Sequence, residues 1–254
     1  MVARLVEAGH HVSVVGRSDE KRVAITQLGA EPVENMAAVS AHADVVVICV
    51  FTDEQVRQVC LDDGLVAGMP AGSALVLHTT GSPRTVESIA IRAAPLDVEV
   101  VDAPVSGGPH HAASGTLTLF VGGADDTVVR VRPVLGCYGD PVLHVGPVGA
   151  GQKVKLVNNA LFAAHIGLLA GSVELAAQLG VSESALLTAL PHGSAASRVL
   201  DIVAAAGGSV SSFIDTAGEF VGKDVAVIRG VAAELGSDLG VLNDVIDVAV
   251  TGAR

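Results

Sequence analysis

Short apolar runs rich in β-branched residues alternate with amphipathic or charged segments over the first part of the chain. Such alternation, with short connections, is typical of βαβ units and a mainly parallel sheet. Several runs are almost entirely apolar, which indicates strands buried on both faces. The predicted strands are residues 11–15, 44–50, 73–78, 98–102, 117–121 and 142–145, and the predicted helices between them are residues 19–28, 54–60, 83–94 and 125–135.

The pattern changes after Gly151, where no further β run is found. A long helix is predicted at 153–180, stopped by glycine, followed by helices at 182–190, 195–206, 213–235 and 239–250. Ser182 is the expected N-cap of the second of these helices. The fold class is therefore α/β, with a mainly parallel sheet over residues 1–151 and an all-helical domain over residues 152–254.

Half of the residues are hydrophobic and the mean hydropathy is +0.56, which raises the question of a membrane span. The most apolar helix, about residues 154–179, is interrupted by Lys155, Asn158, Asn159, His165 and Glu174. No apolar run approaches the roughly 20 residues that a span requires. The first ten residues also lack the form of a signal peptide. We therefore predict a protein without a membrane partner.

The formal charge is −12 with a pI near 5.0, and no basic patch is visible, which argues against nucleic-acid binding. Three cysteines without CxxC spacing favour a reduced, cytoplasmic setting, and Cys49 is expected in the core of a strand. No spacing of ligand-type residues predicts a metal site. The adjacent His110 and His111 are interpreted as loop residues that point in different directions.

A glycine-rich turn opens directly into the long helix, and Lys155 and Asn159 then share one helix face. A lysine on a mostly apolar helix needs water, a partner or a function. Beside a bound cofactor, its ammonium would exchange the proton that accompanies hydride transfer, and Asn159 would orient the same substrate oxygen. The alternative is a snorkelling lysine beside a capping asparagine.

Ligands of doubly wound sheets bind outside the carboxyl ends of the strands, so the residues after each strand are candidates. Arg17 and Ser18 follow the first predicted strand, where an arginine suits the 2′-phosphate of NADP, although a solvated loop arginine is the alternative. Phe51 and Thr52 follow the next strand and are placed to cover the adenosine–pyrophosphate side. Thr52 is equally suited to be a helix N-cap.

The strand ending at His78 runs into a second such loop, in which Ser82 and the following proline make a helix start. This leaves Thr79 and Thr80 for a ligand. After the next strand, a hydroxyl at Ser106 stands beside the backbone amides of Gly107 and Gly108, an arrangement that suits a small anion such as a carboxylate. A simple glycine turn is the alternative.

Four motifs together resemble the β-hydroxyacid dehydrogenase family, which contains 3-hydroxyisobutyrate and 6-phosphogluconate dehydrogenases. They are Asp-Ala-Pro-Val-Ser-Gly-Gly at 102–108, Gly-Thr-Leu at 115–117, Gly-x-Gly-x-x-x-Lys-x-x-x-Asn at 149–159 and Lys-Asp at 223–224. The resemblance covers about residues 1–240. It implies a Rossmann-type domain followed by a helical domain, with the active site in the cleft between them. The helical domain also builds dimers in that family, so a homodimer or homotetramer is implied.

The resemblance also implies roles for individual residues. Lys155 would be the catalytic acid/base and Asn159 a substrate ligand, the segment 106–108 would hold the substrate carboxylate, and Lys223 would lie near the nicotinamide. The implied activity is hydride transfer between NADP, or NAD, and a small 3-hydroxy acid or its semialdehyde. The rival hypothesis is a non-catalytic homologue that uses the apolar helix as an oligomerisation module.

Members of that family begin with a strand and a GxGxxG-type loop before the first helix, whereas residues 1–10 here have the pattern of the end of that helix. No GxGxxG follows any predicted strand. We therefore expect the central strand and the pyrophosphate loop to be encoded upstream, with residues 12–15 and 45–50 flanking that strand. An extended chain would then bind NADP(H) and melt at a higher temperature.

Overall fold

The computed structural model describes residues 1–251, apart from the side chains of Glu219, Val250 and Thr251. The chain divides into two compact units, Met1–Lys155 and Leu156–Arg254. The division falls inside one long helix, four residues after the boundary predicted at residue 151.

The first unit alternates strands with helices. Its strands are β1 (Ser13–Val15), β2 (Glu31–Val33), β3 (Val45–Ile48), β4 (Ala74–Leu77), β5 (Glu99–Asp102), β6 (Val105–Ser106), β7 (Leu117–Gly122) and β8 (Gly139–Gly146). Its helices are α1 (Val2–Glu7), α2 (Asp19–Gln27), α3 (Met36–Ser40), α4 (Asp53–Arg57), α5 (Pro83–Ala93), α6 (Pro109–Ser114) and α7 (Asp125–Leu135).

The strands form two sheets. β1 and β2 pair in parallel as a two-stranded sheet, and the other six follow the order β3-β4-β5-β7-β6, with β8 beside β7. Pairing is parallel for β3–β4, β4–β5 and β7–β8, and antiparallel for β5–β7 and β6–β7. The sheet is thus mainly parallel, as predicted, although β7 runs antiparallel to β5 and β6.

Strand β4 shows why these runs are almost entirely apolar. All four of its residues are buried, and successive side chains point to opposite faces of the sheet. Leu75 and Leu77 pack with residues of α4 and α5, whereas Ala74 and Val76 pack with residues of β7 and α7. A strand covered on both faces needs apolar residues at every position, which confirms the prediction of double burial.

The helix starts follow local rules. Ser18, Thr52 and Ser82 are N-caps whose hydroxyls accept backbone N–H groups of α2, α4 and α5, respectively. Pro83 occupies the first turn of α5, where its missing N–H costs nothing.

Several predictions about the first unit were incomplete or wrong. The short elements β2, β6, α3 and α6 were not predicted, because segments of two to six residues carry little periodicity. Cys49 lies just beyond β3 and is exposed, so its placement in the core was wrong. His110 and His111 lie in helix α6 rather than a loop, and their ring centroids are 3.8 Å apart rather than diverging.

The described residues of the second unit form helices joined by short loops. Helix α8 (Ala150–Gln178) leads into it and is followed by α9 (Glu183–Ala189), α10 (Arg198–Ala206), α11 (Val210–Glu234) and α12 (Val241–Thr251). Ser182 caps α9 as predicted, and Gly207 ends α10 with a left-handed φ of 67°. Its core includes Ile166, Leu200 and Ile246, all nearly inaccessible to solvent.

Helix α8 is long and apolar enough to cross a membrane by length and composition, with a mean hydropathy of 1.6 over its most apolar window. A core helix of a soluble protein meets the same criteria. Gln152, Lys155 and Asn159 are polar residues buried on this helix, a feature of core packing rather than of lipid contact. The absence of a membrane partner remains a prediction.

Candidate active site

Asp102, the last residue of β5, anchors the start of helix α8. Its carboxylate accepts the backbone N–H of Gly149 at 2.6 Å and that of Gln152 at 2.7 Å. Two N–H groups that have no partner inside the helix are thereby satisfied by one side chain. Burial raises the pKa of Asp102 to about 6, and the two N–H donors oppose this rise only in part.

Glycines let this helix start approach the sheet. A Cβ on Gly151 would lie 2.3 Å from the carbonyl oxygen of Phe120, and a Cβ on Gly122 would lie 2.4 Å from an oxygen of Asp102. Gly149 adopts a left-handed φ of 87° just before the helix. The Gly-x-Gly of the lysine motif is therefore explained by turn geometry and by close contact with the sheet.

The loop after β4, residues 79–82, is bound to the same helix start. The side-chain amide of Gln152 accepts the N–H of Gly81 at 3.0 Å and donates to the carbonyl of Thr79 at 2.8 Å. The hydroxyl of Thr79 pairs with both backbone groups of Val50, at 2.8 and 3.0 Å. The Thr79 hydroxyl is therefore paired within the fold and is not, as the sequence had suggested, spare for a ligand. Thr80 lies partly exposed between the two groups held by Gln152.

The segment after β3 is brought together with this loop. Asp53 accepts the N–H of Ser82 at 3.1 Å and the hydroxyl of Thr85 at 2.6 Å. The hydroxyl of Thr52 accepts the N–H of Gln55 at 3.2 Å in a capping box, so the capping alternative for Thr52 holds. The N–H of Phe51 donates to the Gln55 side chain at 2.9 Å, while the ring is exposed.

Arg17 and Ser18 follow β1 in the two-stranded sheet. Ser18 accepts the N–H of Lys21 at 3.2 Å as the N-cap of α2. Arg17 is exposed, and in the described part of the chain its guanidinium has no ion pair or hydrogen bond. An available guanidinium at the carboxyl end of a parallel strand fits the 2′-phosphate of a dinucleotide.

The Ser-Gly-Gly segment differs in one respect from the prediction of two open amides. The N–H of Gly108 donates to Nδ1 of His111 at 3.1 Å, within the first turn of α6. Gly107 has φ = +126°, which only glycine adopts readily. Ser106 closes β6 and is half-buried. The groups of this segment that need no rearrangement to bind an anion are therefore the Ser106 hydroxyl and the Gly107 amide.

Lys155 lies in the second turn of α8 and is only 9% exposed. Its neighbour Lys153 is exposed and pairs with Glu87 of α5 at 3.2 Å. The two lysines of this helix are thus in different settings, and the buried one is the lysine of the motif. An aliphatic stem that merely snorkels to solvent would leave its ammonium more exposed.

In the helical unit, Asn159 and the Lys223–Asp224 pair are brought together. The Asn159 amide donates to Asp224 at 2.7 Å and accepts from Asn158 at 3.0 Å. Lys223 lies with its ammonium 3.9 Å from the Asp224 carboxylate. Asp224 thereby fixes which way the Asn159 amide faces.

One buried pair in the first unit was not predicted. Nδ1 of His78, the residue after β4, lies 2.6 Å from the carbonyl of Ala103, and its Nε2 lies 2.9 Å from the Tyr138 hydroxyl. A carbonyl only accepts, so Nδ1 carries the proton and Tyr138 donates to Nε2. Burial lowers the pKa of His78 to about 4, so the ring is neutral. Its only signal in the sequence was a histidine at the end of an apolar strand.

Two family models match the chain. One describes the NAD binding domain of 6-phosphogluconate dehydrogenase and matches residues 1–146. The other describes the NAD-binding region of NADP-dependent 3-hydroxyisobutyrate dehydrogenase and matches residues 149–252. Together they span both units.

The chain is also similar to individual proteins of the same kind. An uncharacterized oxidoreductase of Shewanella frigidimarina is 36% identical over 78% of this chain and 68% of its own length. The 3-hydroxyisobutyrate dehydrogenase of Pseudomonas aeruginosa is 35% identical over 71% of this chain and 60% of its own length. The solved 3-hydroxyisobutyrate dehydrogenase of Mycobacterium tuberculosis, a complex with L-serine, superposes with a TM-score of 0.87 at 26% identity, covering 98% of this chain and 88% of that one.

Proposed function

The chain belongs to the β-hydroxyacid dehydrogenase family, and from this premise we propose that it is an NAD(P)-dependent oxidoreductase acting on a small 3-hydroxy acid or its semialdehyde. The observation that carries the proposal is the buried Lys155 on a helix whose start is tied to the ends of β4 and β5. The aligned region spans 60% of the Pseudomonas relative's length.

The proposed chemistry assigns one proton to Lys155. A bound nicotinamide supplies or accepts the hydride. In the direction of reduction, the Lys155 ammonium donates a proton to the carbonyl oxygen of the semialdehyde as that oxygen gains negative charge. In the direction of oxidation, the neutral amine removes the hydroxyl proton. Because Lys155 is only 9% exposed, water is partly excluded around it, which strengthens its interaction with the reacting oxygen.

Substrate binding is assigned to the asparagine of the lysine motif and to the Ser-Gly-Gly segment. The hydroxyl of Ser106 and the amide of Gly107 would hold the substrate carboxylate. The N–H of Gly108 would join them once its hydrogen bond to His111 is broken. Asn159, which Asp224 orients, would donate a hydrogen bond to the reacting oxygen.

For the cofactor we propose NADP, with NAD possible. Arg17 supports the 2′-phosphate because its guanidinium is exposed at a strand end. Ser18, Phe51, Thr52 and Thr80 follow the same strand ends and would line the dinucleotide. Lys223 would lie near the nicotinamide.

We also propose that the helical unit assembles as a homodimer or homotetramer in a reducing cytoplasm. The support for assembly is a stripe of exposed apolar side chains at helical spacing on α8, namely Val157, Leu161, Leu168 and Leu175. The support for the compartment is three cysteines without a disulfide. Assembly is also expected of a non-catalytic oligomerisation module, and saturable binding of NADPH to the purified chain separates the two functions.

The deciding experiment for catalysis replaces Lys155 by methionine, which keeps the buried stem and removes the ammonium. Loss of general acid help lowers kcat by about 10²–10⁴-fold, while the Kd for NADPH changes little. The control is Lys153→Met on the same helix, which removes an exposed ion pair and leaves kcat unchanged. Near-normal turnover in Lys155→Met would show that Lys155 is not the acid.

A further inference from the structure

The loop of residues 79–82 is held by hydrogen bonds on both sides of Thr80. The Gln152 amide binds the carbonyl that precedes Thr80 and the N–H that follows it. These two hydrogen bonds are of the kind that a neighbouring strand would make to the backbone on either side of one residue. Gln152 is 1% exposed, so neither hydrogen bond is shared with solvent.

The two ends of the loop are fixed independently. The Thr79 hydroxyl is paired with Val50, and the N–H of Ser82 is bound by Asp53. A loop anchored at three points has little conformational freedom left to lose when a ligand binds.

Thr80 is the exception within this loop. Its side chain is partly exposed, and its hydroxyl has no hydrogen-bond partner among the residues that the structure describes. The anchors therefore hold the residues on either side of one available hydroxyl, which is the arrangement of a rigidly presented ligand contact.

Gln152 also lies three residues before Lys155, one turn earlier in α8. Its backbone N–H is bound to Asp102, and its side chain is bound to the Thr80 loop. One residue thus joins the helix that carries the lysine to the loop that presents the threonine. Among the described residues of the proposed machinery, no other side chain makes both connections.

We propose that Gln152 is a positioning residue. It holds the Thr80 hydroxyl, a contact for the dinucleotide, at a fixed position relative to Lys155. This inference rests on the proposed function, because it needs a nicotinamide dinucleotide as the ligand. It adds a residue that touches neither the substrate nor the cofactor and acts through the loop.

The test is a double-mutant cycle on the Kd for NADPH, measured by fluorescence titration of the full chain. Thr80→Val removes the hydroxyl and keeps the shape, and Gln152→Met removes both hydrogen bonds of the clamp at similar volume. Each single variant is expected to raise the Kd about 10-fold, the equivalent of one hydrogen bond. The double variant is expected to be no weaker than the worse single variant, because an unclamped loop no longer presents the hydroxyl.

Gln178→Met, on the exposed last turn of the same helix, is the matched control and is expected to bind as wild type does. A purely structural role for Gln152 predicts a lower Tm with an unchanged Kd, or effects on Kd that multiply in the double variant, and either result overturns the inference. If Gln152→Met does not fold, Gln152→Glu carries the test. It keeps the acceptor for Gly81 but not the donor for Thr79, and a wild-type Kd would likewise overturn the inference.

Failure of the proposed function gives a different result. If the wild-type chain shows no saturable NADPH binding, with or without the upstream residues expected from the sequence, both the function and the inference are refuted. If wild type binds NADPH and the effects of the two substitutions on the Kd multiply, only the role of Gln152 is refuted.

Discussion

Replacing Asp102 by asparagine tests how burial and hydrogen bonding compete at the start of α8. The carboxylate is inaccessible to solvent and accepts two backbone N–H groups, at 2.6 and 2.7 Å. Asparagine offers one oxygen to these donors and does not titrate. The variant is therefore expected to be less stable than wild type at low pH, by about 1–3 kcal/mol for the N–H left without an acceptor.

The pH dependence of this deficit is the sharper prediction. Burial raises the pKa of Asp102 from 3.8 to about 6. An acid with a higher pKa in the folded state stabilises the fold while it is protonated, and this contribution is lost as the pH rises through about 6. The difference amounts to about 3 kcal/mol at 1.36 kcal/mol per pKa unit. The deficit of Asp102→Asn is thus expected to be largest at pH 4 and to shrink toward pH 7.

Urea titrations at pH 4, 5, 6 and 7 measure this deficit. The chain has one tyrosine and no tryptophan, so the fluorescence of the buried Tyr138 reports on the Met1–Lys155 unit. Asp126→Asn, an exposed change in the first turn of α7, controls for net charge. A deficit that grows with pH would show that the two N–H donors outweigh burial and that the carboxylate is held ionised.

Three further predictions concern other parts of the chain. Tyr138→Phe leaves Nε2 of the buried His78 without a donor and is expected to lower the free energy of unfolding by about 1–3 kcal/mol, followed by circular dichroism; an unchanged urea midpoint would contradict the hydrogen bond. Arg17→Ala is expected to weaken NADPH about 10-fold and NADH little, whereas equal effects on both Kd values would remove Arg17 from the 2′-phosphate site. Leu168→Glu, in the exposed stripe of α8, is expected to dissociate the oligomer in sedimentation velocity, and an unchanged mass would place the interface elsewhere.

Local signals predicted much of this architecture. The fully apolar run of β4, the serine–proline start of α5 and the glycine before α8 each specify an element through burial, capping or backbone freedom. The lysine motif also indicated the candidate chemistry, since a lysine on an apolar helix is unusual in itself. These features depend on residues within one or two turns of each other, so the sequence alone contains them.

The chemistry that individual groups can perform was decided by tertiary structure. Thr79 and Thr80 are adjacent and identical in type, yet one hydroxyl is paired with Val50, 29 residues away, and the other is available. Gln152 contacts a carbonyl 73 residues away, and Asp102 contacts amides 47 and 50 residues away.

By itself, then, the sequence determined the periodic elements, their caps and the lysine motif, because each depends on neighbours along the chain. The tertiary structure alone decided the antiparallel place of β7, the exposure of Cys49 and which hydroxyls and amides remain available for a ligand. Hydrogen-bond partners and burial come from segments far apart in the sequence, and only the folded arrangement brings them together.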